Sequence, residues 1–532
     1  MTKVRLTVVT AMVAVAGSVA GVTHSASADV TAQLNASQLV ADMGAGWNLG
    51  NSLEANANGI PSETAWGNPT VTQALIDKVR AAGFKTIRIP VSYLGTIGAA
   101  PDYTISSAWL TRVQQVVDYA YNRGLYVLIN MHGDGYKTIT GSWLICDSSA
   151  QTTIRDKYQK VWQQIATRFQ SYNEHLIFES MNEEFVGQYG TPTQPCYSSI
   201  NAYNQTFVDT VRRAGGNNSS RWLLVPGWNT NIDYTVGNFG FVLPTDQYRS
   251  SAIPSSEQRI MISVHYYDPW DFTGDENSAI TQWGPAASNP SRTSTWGQAD
   301  YMDAQVKKVH DTFVARGYPV FIGEYGAIDK TSLDSSNNTY RADFARTLVS
   351  VAKKYGAATA YWDNGVNGQY GFALFNRSSA TVTQQGIIDA IMSAVGGGAP
   401  STPPATTPPA TTPPATTPPA TTPPATSTPP STGRSCSASY AVVGQWQDGF
   451  QADVRVTAGG SAISSWTVTW TYANGQRVTQ AWNASVSSSG SAVTARNVSY
   501  NGAIGGGAST TFGLLGSSNG TNSLPSLSCA AG

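Results

Sequence analysis

Between residues 46 and 395 the chain alternates two periodicities. Apolar runs of strand length lie at 46–49 (GWNL), 85–91 (KTIRIPV), 126–132 (YVLINMH), 175–183 (HLIFESMNE), 222–228 (WLLVPGW), 259–267 (RIMISVHYY), 320–326 (VFIGEYG) and 358–365 (ATAYWDNG). Between them lie segments with helical spacing. In 109–124, for example, Leu110, Val113, Val117 and Ala120 recur three and four residues apart, with Trp109 and Val116 beside them. The same spacing predicts helices over 71–83, 154–169, 200–216, 299–317, 340–356 and 384–395, several stopping at Gly. Strands alternating with helices predict a parallel sheet covered by helices. Eight of them in about 350 residues predict a closed (β/α)8 or TIM barrel of the α/β class. The competing architecture, an open doubly wound sheet, carries a Gly-rich phosphate turn after its first strand, and GWNLGNSLEA is not one. The fifth strand is followed by no clear helix, and the sixth by a long loop, 268–298.

Successive side chains of a strand point to opposite faces. In 126–132, Val127, Ile129 and Met131 share one face, and Leu128, Asn130 and His132 the other. In 259–267, Ile262 and Val264 oppose Ser263, His265 and Tyr267. In 85–91, Ile87 and Ile89 oppose Thr86 and Arg88. One face suits packing on helices; the other turns polar near its C-terminal end. Buried polar groups cost free energy unless paired, so these residues are expected to form a network at the barrel mouth, where this fold places its active sites.

The pattern changes twice more. Residues 397–435 repeat PPATT and hold nothing that builds a core, which predicts an extended, semi-rigid Pro/Thr-rich linker. Residues 436–529 return to period two, as in ADVRVTA and SWTVTWTY, with Asn474-Gly475 predicting a hairpin turn. A β-sandwich closed by a disulfide is the expected fold. At the other end, Lys3 and Arg5 precede an apolar run over 6–22, and Ala26-Ser27-Ala28 has the form of a cleavage site. This predicts a signal peptide removed after Ala28 rather than an anchor; no other stretch is long and apolar enough to span a bilayer. The domains are therefore expected as 1–28 signal peptide, 29–396 barrel, 397–435 linker and 436–532 sandwich. Export permits disulfides. Of the three pairings open to four cysteines, pairing within each domain is simplest: Cys146 with Cys196, and Cys436 with Cys529.

Net charge is -1 and only 12% of the 532 residues are charged. That leaves no basic footprint for a nucleic-acid partner. Candidate chemistry lies instead at two strand ends. The run at 176–184 ends in Asn182-Glu183, and that at 320–326 holds Glu324. Two carboxylates on one rim are the minimum equipment for breaking a glycosidic bond by acid and nucleophile. His132 and His265 lack the spacing of a metal site, so no metal or other cofactor is expected. Glu179, deeper along the strand, reads as a buried pairing group, and Glu184 as a loop or solvent carboxylate. Trp47, Trp228 and Trp270 read equally as packing or as sugar platforms.

With GWNLGN (46–51), TIRIPVS (86–92), NMHGD (130–134), FESMNEE (178–184), VHYYDP (264–269), IGEYG (322–326) and YWDNG (361–365) in this order, the first domain resembles glycoside hydrolase family five, a barrel family rich in cellulases. The resemblance implies that Glu183 is the general acid/base and Glu324 the nucleophile. It implies that Asn182 holds the sugar 2-hydroxyl, that Arg88 is the cation beside the nucleophile, and that Tyr267 is a hydroxyl donor to it. His132 and His265 would line the sugar site and Trp362 would be its aromatic floor. Gly133 stands where related members often have a second His. The segments CSASYAVVGQWQDGFQADVRV, SSWTVTW, QRVTQAWNASV and NVSYNGAI resemble carbohydrate-binding module family two. This implies a cellulose face of Trp446, Trp482 and Tyr500, with Trp466 and Trp470 in the core. Together these imply a secreted, monomeric, retaining endo-β-1,4-glucanase acting on cellulose or a related β-glucan, with no membrane partner once the leader is gone. Xyloglucan, mannan or mixed-linkage glucan as substrate, or a non-hydrolytic polysaccharide binder, are the alternatives.

Overall fold

The computed structural model describes residues 34–185, 192–396, 434–446, 449–482, 484–498, 501–518 and 522–532. The expected signal peptide and nearly all of the expected linker lie outside them. The chain divides into two compact units, residues 1–406 and 407–532.

The first unit is a closed barrel of eight parallel strands. They are β1 (Ala45–Asn48), β2 (Thr86–Ile89), β3 (Tyr126–Ile129), β4 (Leu176–Glu179), β5 (Leu223–Pro226), β6 (Ile260–Tyr266), β7 (Val320–Tyr325) and β8 (Ala357–Tyr361). Each pairs with its neighbours in sequence, and β1 closes the ring against β8. Every predicted strand is present, and several stop before the apolar run does. Strand β3 ends at Ile129, and β4 ends at Glu179, so His132, Asn182 and Glu183 stand in loops. Side-chain contacts replace the ladder there: the Val91 amide donates to Asn130 Oδ1 at 3.1 Å.

The two strand faces separate as the alternation predicts. Ile87, Val127, Ile129, Phe178, Val225, Ile262 and Ile322 pack outward with the helices. Leu128, Ile177, Leu224, Met261 and Phe321 fill the barrel interior. Beneath them helix α1 (Ala36–Met43) inserts Leu39 and Met43 and closes the bottom. Sequence periodicity missed this helix because it is only two turns long. Its signature is local: the Gln38 amide donates to Asn35 Oδ1 and the Asn35 amide to Gln38 Oε1, each at 3.0 Å, a capping box. After β5 there is only a five-residue helix, Ile232–Val236.

The second unit is all β, with two four-stranded sheets. One orders its strands Cys436–Trp446, Gly449–Ala458, Ser509–Ser517, Arg477–Trp482; the other Ser485–Ser489, Ala492–Arg496, Trp466–Thr471, Leu527–Ala531. Trp466 and Trp470 are buried between them, as expected of core residues. The hairpin expected at Asn474-Gly475 does not form. The strands on either side belong to different sheets. Gly475, at φ +75°, supplies the left-handed turn, but a turn reverses the chain without choosing the partner. Both disulfides pair within a unit, Cys146 with Cys196 and Cys436 with Cys529.

The seam between β1 and β8 makes one steric demand. A Cβ on Gly46 would lie 2.5 Å from the Thr359 carbonyl oxygen. Gly46→Ala is expected to cost about 1–3 kcal/mol, the usual range for overpacking, seen as a lower barrel unfolding midpoint by calorimetry.

Candidate active site

The site is built upward from one buried cation. Arg88, on β2, is fully buried and points into the barrel mouth. Its Nε donates to Glu179 Oε2 at 2.7 Å. Its Nη1 donates to Glu324 Oε1 at 2.7 Å and to Asn48 Oδ1 at 3.0 Å, and its Nη2 to Asn182 Oδ1 at 2.7 Å. Burial works against the charge, but the Glu179 and Glu324 carboxylates outweigh it and hold the guanidinium above its ordinary range. Glu179 is also bonded by Ser263 Oγ at 2.6 Å and Asn130 Nδ2 at 3.0 Å. It is a buried counter-ion, enclosed on all sides. Arg88 therefore serves both carboxylates.

Above this layer Glu183 and Glu324 face one another. One oxygen of each, together with a ring nitrogen of His265, lie within 4.8 Å of one another. The two acids have different company. Glu324, its side chain 8% exposed, meets Arg88 and accepts from the Tyr267 hydroxyl at 3.1 Å. Burial, then the Glu324 charge, raises the Tyr267 phenol well above its usual range, so it keeps the proton it donates. Glu183, 19% exposed, shares a hydrogen bond with His265 Nδ1 and accepts from the Thr230 hydroxyl at 3.2 Å. His265 Nδ1 is also 3.6 Å from Glu324.

The remaining predicted residues gather around this pair. His132 lies between two amides, its ring nitrogens 3.3 Å from Asn130 Nδ2 and 3.2 Å from Asn182 Nδ2. Burial, then Arg88 and His265, pushes its pKa well below the ordinary imidazole range, so it is neutral. Trp362 follows β8, is partly exposed, and lies nearly parallel to the His132 ring with centroids 6.2 Å apart. Gly50 sits against it; a Cβ there would be 2.7 Å from the indole. Trp47 and Trp228 are fully buried and act in packing, whereas Trp270 is 54% exposed, its ring edge-on to Tyr267. In the second unit Trp446 and Trp482 end strands. Their side chains, and all of Tyr500, lie outside the described residues.

Three residues at the site were missed or misread from sequence. Thr230 reaches Glu183 because Asn229 and Thr230 both adopt left-handed backbone, φ 49° and 53°, directly after β5. Applying the strand-end rule to WLLVPGWNT would have flagged it. The Tyr136 hydroxyl accepts from Asn182 Nδ2 at 3.0 Å. Glu184 is not a solvent carboxylate. It is 1% exposed and accepts backbone hydrogen bonds from Gly133, at 3.0 Å, and Gly135.

Residues 50–368 match the model of the cellulase family, glycosyl hydrolase family 5, and residues 436–532 that of the cellulose binding domain. The chain belongs to glycosyl hydrolase family 5. This family 5 enzyme is 66% identical to Endoglucanase A of Paenibacillus barcinonensis over 376 residues, 71% of this chain and 94% of that protein. Among solved structures it is similar to a family 5 xyloglucanase from Paenibacillus pabuli in complex with ligand, at 68% identity and TM-score 0.66, covering 67% of this chain and all of that one. It is also similar to a GH5-4 broad specificity endoglucanase from Bacteroides salanitronis, at 38% identity and TM-score 0.63, covering 68% and 95%. The enzyme is thus a glycoside hydrolase of the endoglucanase class carrying a cellulose-binding module.

Two predictions follow from the charges of the family 5 barrel. Arg88→Met leaves Glu179 and Glu324 buried without their cation, and is expected to cost about 3–5 kcal/mol of stability in urea titration. The second concerns Glu54 and Asp134, whose burial raises their pKa values to about 7 and about 6. The folded chain then holds protons that the unfolded chain has lost above about pH 4. Their contribution to stability is complete below that pH and is lost as pH rises through 6 and 7. Glu54→Gln should flatten this decline in unfolding free energy measured between pH 5 and 8.

Proposed function

We propose that this enzyme is secreted and cleaves internal β-1,4-glucosidic bonds of cellulose with retention of configuration. Glu324 attacks the anomeric carbon while Glu183 protonates the leaving oxygen. Glu183 then takes a proton from water, which displaces Glu324 from the glycosyl-enzyme. The observation that carries this reading is the approach of the two carboxylates to within 4.8 Å. Retaining enzymes hold them about 5–5.5 Å apart, whereas inverting ones need about 6.5–9.5 Å to admit a water.

The asymmetry of contacts supports the division of roles. Arg88 and Tyr267 bond to Glu324, the group that must attack as an anion. Glu183 bonds to His265 and Thr230 and is the more exposed, as suits a group that exchanges protons with water. Asn182, fixed by Arg88, is suited to hold the 2-hydroxyl of the sugar undergoing cleavage, and Trp362 to lie under that ring. Export is supported by the leader at 1–28 and by two disulfides. Among the described residues no helix is long and apolar enough to cross a membrane. We assign the catalytic domain to 29–396, the linker to 397–435 and the cellulose-binding module to 436–532, with Trp446, Trp482 and Tyr500 as its stacking face.

One observation favours a second substrate: the neighbour from Paenibacillus pabuli, 68% identical, is a xyloglucanase. Xyloglucan shares the β-1,4-glucan backbone, so the same acids would serve. Rates on carboxymethyl cellulose, xyloglucan, mannan and lichenan, measured side by side, decide between them. Proton NMR of the first product tests the mechanism. The β anomer is expected to appear first; initial α anomer would overturn the retaining assignment. Glu324→Gln is expected to abolish turnover while leaving cellotetraose binding, measured by calorimetry, within a few-fold of the parent.

A further inference from the structure

Glu184 follows the proposed acid in sequence, yet its carboxyl group is buried and bonded to backbone. Its two oxygens accept from the amides of Gly133 and Gly135, which flank Asp134. The fit is close. A Cβ on Gly135 would lie 2.7 Å from Glu184 Cβ and 2.9 Å from the Leu144 carbonyl oxygen, and Gly133 has the left-handed φ of +87°. The Gly-Asp-Gly turn is thus a cradle that receives the carboxylate of another loop. Asp134 anchors the same turn, accepting from the Tyr93 amide at 3.1 Å and Trp143 Nε1 at 2.8 Å.

The turn matters because of what it carries. His132 precedes it and Tyr136 follows it, and both contact Asn182, the residue before Glu183. The loop after β3 and the loop after β4 are therefore joined on both sides of the acid: through Asn182 ahead of it and through Glu184 behind it. Further out, the Cys146–Cys196 disulfide joins the loop after β3 to helix Gln194–Arg213, which follows the loop after β4.

We propose that Glu184 is a positioning residue for Glu183, hooking the acid-bearing loop onto the Gly133–Gly135 turn so that the acid meets the leaving oxygen. This rests on the assignment of Glu183 as acid/base. A general acid must come within hydrogen-bond reach of its target, and a displacement of about 1 Å costs on the order of a hundredfold. The loss should therefore fall on reactions that need the proton and spare those that do not.

The experiment compares kcat/KM of the full chain on carboxymethyl cellulose and on 2,4-dinitrophenyl β-cellobioside, whose phenolate departs without protonation. Glu184→Ala is expected to lose roughly 10–100-fold on the polysaccharide and under about threefold on the aryl glycoside. Glu184→Gln, which keeps one acceptor, should recover part of the loss. Glu183→Ala should show the same discrimination more strongly. Equal losses on both substrates in Glu184→Ala, or no loss on either, with discrimination intact in Glu183→Ala, would overturn the positioning role alone. Absence of discrimination in Glu183→Ala would overturn the acid assignment and this proposal with it. Glu184→Ala leaves the Gly133 and Gly135 amides without their acceptor, so a somewhat lower thermal midpoint is expected, and unaltered cellotetraose affinity would separate lost positioning from lost structure.

Discussion

A guanidinium with no access to water has to be surrounded by acceptors. The effective cost of burying an ion is several kcal/mol, recovered only where geometry is good and every donor is satisfied. Arg88 comes close to that condition: four of its five N–H groups meet Asn48 on β1, Glu179 and Asn182 on β4 and the loop after it, and Glu324 on β7, all gathered onto one planar fork. Because the fork is rigid, the positions of those four groups are correlated. The two carboxylates are not equivalent. Glu179 is fully enclosed, with Ser263 and Asn130 completing its bonds. Glu324 offers its second oxygen to the Tyr267 hydroxyl. One anion balances the cation, and the other is left oriented toward the cleft.

The barrel is layered so that this polar assembly rests on a dry base. Helix α1 seals the bottom, and large apolar side chains fill the middle. The polar network around Arg88 occupies the end where the strands give way to loops. Apolar burial stabilises the fold without reference to direction, whereas the upper layer depends on directed bonds. Function is concentrated where the non-directional contribution ends. Trp47 and Trp228, close to the site in sequence terms, are fully buried, and Trp47 donates to Asp363 Oδ2 at 3.0 Å.

The fold and the place of the two facing carboxylates were legible in the sequence, since period-two and helical spacing are local signals and Glu183 and Glu324 both close apolar runs of strand length. Arg88, His132, His265 and Tyr267 were legible as members of the site for a related reason: each is a polar residue within or just after an apolar run. What escaped depends on partners distant in sequence. Glu184 looks like any loop carboxylate until the amides of Gly133 and Gly135, some fifty residues earlier, are brought beneath it. Thr230 looks like a turn residue until two left-handed backbone conformations aim its hydroxyl at Glu183. The Asn474-Gly475 turn was correctly placed and wrongly partnered, because local chemistry fixes a reversal while the packing of two sheets decides which strands pair.

The two halves of the chain answer different questions. The module matching the cellulose binding domain bears on which surface the protein occupies, and the family 5 barrel on which bond it breaks. The PPATT repeats between them contain no residues able to form a core, the composition expected of a linker. A tether of this kind acts through effective concentration. As a linker the repeats would raise the encounter rate with whatever polymer lies near the bound surface, cellulose or a chain associated with it. Cellulose recognition at one end is therefore compatible with a barrel close in sequence to a xyloglucanase at the other. Under the proposed mechanism the choice of substrate falls to the cleft walls above Glu183 and Glu324, because that chemistry requires only a β-linked sugar placed between two acids.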